Sequence, residues 1–168
     1  MDGSGTDPDS LPVELDALQR SVWNAVYPYK DRLINIAFSG GLDSTALLSV
    51  AASLRPWMGL SLRALHVNHG WNEQSEDWAA HCESVARALT VPCETIQLGS
   101  NLALESGSAD FTESSREARA RAARYHWFSE MVDPEDVLLT GHHLDDQAET
   151  FILRLMRGSS IRGLGAMR

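Results

Sequence analysis

Lysine is nearly missing from this 168-residue chain: Lys30 is the only one, and it stands ahead of the first apolar run rather than in a glycine-rich turn. The phosphate-binding pattern GxxxxGKS/T is therefore absent, and so is GxGxxG. Cysteine is almost as scarce. Cys82 and Cys93 form no CxxC, and their spacing offers neither a zinc nor an iron–sulfur site, so free thiols in a reducing compartment are expected. No apolar run is long enough to span a membrane; the longest candidate, Ala46 to Leu54, is short and interrupted by serines. A secretory leader is not expected either, since Asp2, Asp7, Asp9, Glu14 and Asp16 all precede the first basic residue. A cytoplasmic protein without membrane contact is the expectation, with its oligomeric state open, a dimer included.

An overall excess of basic charge is also absent. The formal net charge is −9, with 15 acidic and 6 basic residues in 1–113 and 8 of each in 114–168. Broad electrostatic binding of nucleic acid by the whole surface is thereby excluded, and any polyanion must be met locally, near the arginines of the second half. At 43% hydrophobic and 22% charged residues, the composition suits one domain with a sizeable core. Met1 to Ser10, rich in Gly, Ser, Asp and Pro, reads as a disordered leader, and residues 11–168 read as that domain.

What the chain does have is the stretch Leu33 to Ser44, LINIAFSGGLDS. A near-continuous apolar run, as in a strand covered on both faces, meets Gly40 and Gly41 and then a helical pattern beginning near Asp43. Two glycines permit positive φ and close approach of the backbone to a ligand. The first helical turn adds free N–H groups and the positive end of the dipole, together an anion site. With Asp43 where lysine stands in other phosphate loops, positive charge must come from elsewhere, and a divalent metal held partly by Asp43 would supply it. The plain alternative is a strand-to-helix turn that merely needs glycine.

Along the rest of the chain, periodicity predicts a helix over Leu11 to Tyr27, with Pro12 in its first turn and Pro28 ending it. Strands follow at Leu60 to Val67, Val91 to Leu98 and Asp136 to Gly141, and helices at Ser75 to Leu89, Glu113 to Met131 and Leu144 to Met156. The segment Gly99 to Thr112 is long enough for an active-site loop. Alternation of strand and helix predicts an α/β fold, a parallel sheet with helices on both faces. Ligands of such sheets bind beyond the carboxyl ends of the strands where strand order reverses. SGGLDS, HVNHG and TGHHLDD each follow a strand, so all three should meet in one crevice.

His66, His69, His142 and His143, with Asp145, Asp146 and Glu149, leave a metallohydrolase reading available. Strand alternation opposes it by sending His66 and His69 to opposite faces. Asp146 and Glu149 share a helix face, as acids facing the crevice or as dipole-compensating caps. Arg121 and Arg124 would clamp a phosphate, or form a solvated face with Glu117 paired to Arg121.

SGGLDS resembles the signature of the PP-loop ATP-binding proteins, which implies a Rossmann-like fold of the adenine nucleotide alpha-hydrolase type and cleavage of ATP to AMP and pyrophosphate. The ordered set SGGLDS, HVNHG, ExxARxxRY from Glu117 to Tyr125, HHLDDQAETFILRLMRGS and GLGAM is similar to the amino-terminal domain of the tRNA(Ile)-lysidine synthetases, over about Leu33 to Met167. Trp71 and Gly141 depart from the family's usual leucine and its frequent alanine. The resemblance implies a ligase that adenylylates the C2 oxygen of the wobble cytidine in tRNA(Ile) with a CAU anticodon. Free L-lysine then displaces AMP to form lysidine. By motif position, ATP would be held by Ser39, Gly40, Gly41, Leu42, Asp43, Ser44, His66 and Asn68, with Mg2+ on Asp43 and Asp146. The tRNA or lysine would meet His69, Arg121, Arg124 and His142; Asp43, Asp146, Glu149 and Arg121 would serve catalysis. A PP-loop tRNA cytidine thiolase and a non-catalytic ATP-binding module are the alternatives. Members of the family usually continue into carboxy-terminal tRNA-binding domains, so a catalytic fragment, inactive on tRNA when isolated, is the expectation for this chain.

Overall fold

The computed structural model describes residues 15–70, 74–98 and 113–142, and for 113–118 only the backbone. The expected disordered leader, the 99–112 loop and the helix over 144–156 with its Asp146 and Glu149 lie outside the described residues.

Helix α1 (Ala17–Val26) begins later than periodicity predicts. Asp16 is extended and non-helical, and its carboxylate accepts from the Gln19 amide at 2.8 Å while the Gln19 side chain accepts from the Asp16 amide at 3.0 Å. This reciprocal capping box satisfies two first-turn donors and sets the start, overriding a stripe that carried on from Leu11. Leu18, at helical spacing from Leu15 and Val22, is exposed, whereas Val22 and Val26 are buried. Pro28 ends α1 as expected, within a 3-10 turn over Tyr27–Tyr29.

The first unit is β1 (Leu33–Ala37) followed by α2 (Leu42–Met58). Pro56 lies inside the last turn of α2 and has no amide to give Ala52; Arg55 Nε donates to that carbonyl instead, at 3.3 Å. Gly59, at φ +63°, closes the helix with a left-handed cap. Next come β2 (Ser61–Asn68), α3 (Gln74–Ala88) and β3 (Cys93–Gln97), then α4 (Glu113–Met131) and β4 (Val137–Thr140). These bounds differ from the expected ones by one or two residues at most ends, where pairing rather than composition terminates an element.

All pairings among the four strands are parallel, and the order is β3-β2-β1-β4. The chain moves outward from β1 through β2 to β3, then returns to the far side of β1. Because parallel crossovers are right-handed, reversing direction moves the connecting helix to the other face. Apolar packing agrees: α1, α2 and α3 bury Trp23, Val26, Leu48, Leu54 and Cys82 against Ile34, Ile36, Leu62 and Ala64. On the opposite face, Trp127 and Phe128 of α4 cover Leu65 and Val67.

The polar interruption of β1, Asn35, is fully buried, and both ends of its amide have partners. Its Nδ2 donates to the Val137 carbonyl at 3.3 Å, and its Oδ1 accepts from Arg63 Nε at 2.7 Å. Arg63 also reaches Glu94 at 3.1 Å and the Met131 carbonyl at 2.7 Å. One guanidinium thus joins β1, β2, β3 and the end of α4, and gives the buried Asn35 oxygen its donor.

Candidate active site

Strand order reverses between β1 and β4, and there a cavity of about 430 Å³ opens at the carboxyl ends of the strands. Ser39, Gly41, Leu42, Asp43 and Ser44 form one wall, His66, Asn68 and His69 a second, and Thr140, Gly141 and His142 a third. The three strand-end motifs therefore meet in one crevice as expected, over the part of each that is described.

Within the loop, each hydroxyl has a defined partner. Ser44 Oγ donates to the Gly41 carbonyl at 3.1 Å, which uses its one proton. The 3.0 Å contact between Ser39 Oγ and Ser44 Oγ must then carry the Ser39 proton, and Ser39 Oγ accepts in turn from the Gly41 amide at 3.3 Å. Gly41 caps α2 without any side-chain acceptor, so the positive end of a 17-residue helix faces the cavity.

Gly40, unlike Gly41, does not border the cavity; it is pressed against α3. At φ +78° it is left-handed, and a Cβ there would stand 2.6 Å from Cys82 Sγ and 3.1 Å from Trp78 Nε1. Trp78 Nε1 donates to the Ser39 carbonyl at 2.7 Å, while the half-exposed ring borders the cavity. The four-residue spacing of Trp78 and Cys82 puts them on one face of α3. That this face holds the loop was not visible in it. Gly141 is a second close approach: a Cβ there would come within 3.0 to 3.1 Å of the backbone of Asp43 and Ser44. The departure from alanine thus lets the exit of β4 lie against the first turn of α2.

The two histidines of HVNHG occupy different environments, as alternation predicts. His66 shares parity with Leu62 and Ala64, the α2–α3 side, and Phe38 O lies 2.8 Å from its Nδ1. His69, just past β2, meets Arg124 of α4, whose NH2 lies 2.9 Å from its Nε2. A guanidinium only donates, so this nitrogen of His69 accepts and the imidazole is neutral. Burial first, and the Arg124 charge second, push the His69 pKa down to about 4. Burial also lowers the pKa of Arg124, which remains charged as arginines do. Asn68 is anchored, its Oδ1 taking the Gly70 amide at 2.9 Å and its Nδ2 donating to Glu76 at 3.2 Å.

Arg121 and Arg124 have different surroundings. Arg124 borders the cavity, together with Tyr125, the last residue of ExxARxxRY, and Phe128, an aromatic to which no sequence motif points. Arg121 is not part of the lining; its guanidinium lies over the Tyr125 ring, 5.2 Å from the centroid. His142 borders the cavity and bonds Thr140 Oγ1 at 2.9 Å. Neither cysteine reaches the lining, and burial pushes the Cys82 thiol up to about 11.

Among the described residues no group of three or more His, Cys, Asp or Glu could hold a metal ion unaided, so the metallohydrolase reading gains no support. Magnesium bound with a nucleotide takes only one or two protein carboxylates, phosphate oxygens supplying the rest, and Asp43 at the cavity wall fits that donor set.

Residues 15–168 match the model of the PP-loop domain family. The chain is 42% identical over 154 residues to the tRNA(Ile)-lysidine synthase of Actinobacillus pleuropneumoniae, a match covering 92% of this chain and 33% of that protein. With the enzyme of the same name from Methylococcus capsulatus it shares 43% identity over 132 residues, 79% of this chain and 28% of the relative. The chain thus spans about a third of the length of these relatives. Among solved structures, the U34-tRNA thiolase NcsA from Methanococcus maripaludis, with its 4Fe–4S cluster, superposes with a TM-score of 0.60 at 21% identity. That match covers 86% of this chain and 50% of the thiolase. The NH3-dependent NAD synthetase of Campylobacter jejuni gives 0.54 at 16% identity, covering 89% and 61%. These two likenesses concern the fold.

Proposed function

This chain belongs to the PP-loop domain family, and from that premise we propose that it is the ATP-using part of a tRNA(Ile)-lysidine synthetase. In this reading ATP adenylylates the C2 oxygen of the wobble cytidine in tRNA(Ile) with a CAU anticodon. The ε-amine of free L-lysine then displaces AMP. The observation that carries the proposal is the 42% identity to the Actinobacillus pleuropneumoniae synthase, over a stretch long enough to contain every described cavity residue.

The geometry supports a division of labour. The α2 amino terminus would face the β- and γ-phosphates, and the Gly41 amide and the hydroxyls of Ser39 and Ser44, turned from their partners within the loop, would stabilise negative charge as pyrophosphate departs. Asp43 would hold magnesium, which supplies the positive charge that a lysine-free loop lacks. On the opposite wall, the neutral His69 and the charged Arg124 would orient the cytidine or its phosphate, and holding the reactants in one crevice lowers the entropic barrier. By motif position Asp146 would share the magnesium with Asp43 and Glu149 would receive the lysine ammonium, and one of these two carboxylates would take a proton from it. No covalent enzyme intermediate is required.

The test is mass spectrometry of nucleosides from tRNA(Ile) incubated with ATP, magnesium, lysine and this chain, alone and joined to the remaining two thirds of a relative. Lysidine is expected at least from the joined protein, and its absence from both would overturn the reading. Asp43→Ala should abolish AMP release while leaving the thermal midpoint unchanged. A module that only senses ATP would bind the nucleotide and release no pyrophosphate with tRNA and lysine present. A thiolase reading is disfavoured because Cys82 is buried against the loop and neither cysteine borders the cavity.

A further inference from the structure

Two half-exposed aromatic rings border the cavity, and they differ in what holds them. Trp78 is engaged with the phosphate loop through its N–H. Tyr125 touches no part of that loop, yet its ring stays 39% exposed at the cavity wall. It is fixed from behind. The buried Phe128 meets it edge to face with 6.2 Å between centroids, and the Arg121 guanidinium lies over it, 5.2 Å from the centroid. A ring held in this way needs little further ordering to receive a flat ligand on its exposed part. Arg121 is exposed and outside the lining, whereas Tyr125 and Arg124 belong to the lining. The Arg121–Tyr125 pair therefore straddles the rim.

The charge around this ring is of one sign. Arg124 carries its positive charge at the cavity, the neighbouring His69 is neutral, and among the described lining residues Asp43 is the only acid. In a chain of net charge −9 this is a local exception, and it combines cations with an open aromatic face. Single-stranded nucleic acid is held by that combination, phosphates meeting the cations and a base stacking on the ring. Size decides which base it is. A cavity of about 430 Å³ lies near the lower end of the range for small-ligand sites. It must take ATP and the base that reacts, so the neighbours of that base along the polynucleotide lie outside it, over the rim. We propose that the Tyr125 ring, backed by Arg121, stacks an unpaired base of the substrate RNA next to the base that reacts. The inference rests on the RNA-modifying reading above and adds to it a contact outside the reaction itself. A continuous A-form duplex has no unstacked base to offer, so the platform selects a loop or single strand over a helix.

The test pairs changes in the protein with changes in the RNA. The protein is this chain joined to the remaining two thirds of a relative. The RNA is an anticodon stem-loop with a CAU anticodon, in which each nucleotide adjoining the reacting cytidine is made abasic in turn. Dissociation constants are read by fluorescence anisotropy of the labelled RNA. Tyr125→Leu keeps an apolar side chain and removes the aromatic face; Tyr125→Phe keeps the face. The parent should lose about tenfold in affinity when one of the two neighbours is abasic, as for a single stacked base. Tyr125→Leu should bind the intact RNA about tenfold more weakly and that abasic RNA as the parent does. Its ratio to the parent should hold from low to high salt, because stacking releases no counterions. Tyr125→Phe should bind like the parent, and calorimetry should give both variants the parent's affinity for ATP, which shows the cavity intact. In the unmodified protein, the Tyr125 ring proton resonances should move with the intact RNA and not with that abasic one, a readout independent of any variant's folding. Parent-like RNA affinity of a folded Tyr125→Leu protein, a deficit that persists in full on both abasic RNAs, or ring resonances indifferent to the RNA would overturn the inference and leave the RNA-modifying reading standing. A deficit with ATP and none with RNA would overturn it too, giving the ring to the base of ATP. Failure of the parent to bind the RNA at all would overturn both.

Discussion

Replacing Gly40 by alanine is the sharpest test of how the phosphate loop is held. The backbone there has φ +78°, a region that costs a residue with a Cβ about 1–2 kcal/mol. The added methyl would stand 2.6 Å from Cys82 Sγ and 3.1 Å from Trp78 Nε1. Cys82 is fully buried on α3, so its sulfur cannot swing aside, and overpacking of this kind costs about 1–3 kcal/mol. The sum is about 2–5 kcal/mol. For a chain of this size each kcal/mol is worth roughly 2–4 °C of midpoint, so a fall of about 4–20 °C is expected. If the loop instead peels away from α3, the midpoint falls less, and ATP affinity drops because the loop amides leave their places. Thermal melting by circular dichroism and calorimetric titration of ATP distinguish the two responses. Gly41→Ala is the control: its φ is −74°, and the nearest atom to an added Cβ is Ser39 Oγ at 3.4 Å. A Gly40→Ala protein that melts and binds ATP like the parent would refute the account of the loop as clamped by α3.

Three further outcomes follow from the same geometry. Trp78→Phe removes the 2.7 Å hydrogen bond to the Ser39 carbonyl but keeps a ring, and because Trp78 is half-exposed the midpoint should change little. ATP should nevertheless bind several-fold more weakly, as expected for about 1 kcal/mol of one hydrogen bond, and equal affinities would show that the strut is idle. Acid should weaken the fold through His69. Its pKa in the folded state is about 4, below the ordinary 6.5, so the unfolded chain takes up a proton first and stability declines as pH falls from about 6.5 to about 4. Urea midpoints measured across that window should show the decline, and His69→Gln should flatten it. Cys82, buried and pushed up to about 11, should resist alkylation at pH 8 in the folded protein and react at once in urea; rapid labelling without denaturant would contradict its packing against Gly40.

What sequence alone determined about this protein is what depends on neighbours along the chain. The glycine pair after an apolar run announced a strand, a turn and a helix end, because φ preference and hydrophobic period are local properties. Alternation placed His66 and His69 on different sides of β2 for the same reason. Motif order carried the family. The start of α1 was within reach of the sequence too, since Asp16 and Gln19 spell a capping box; the apolar stripe from Leu11 masked it.

Tertiary structure alone decided which distant groups meet. It set β4 beside β1 and so opened the cavity where the strand order reverses. It brought Trp78 and Cys82 of α3 under a glycine 38 and more positions earlier, and Arg124 to His69 across 55 positions. It also turned Arg124 to the cavity and laid Arg121 over the Tyr125 ring, a difference that helical spacing does not show. Such pairings arise from the burial of whole faces, and that free energy is shared among many residues rather than written at any one of them.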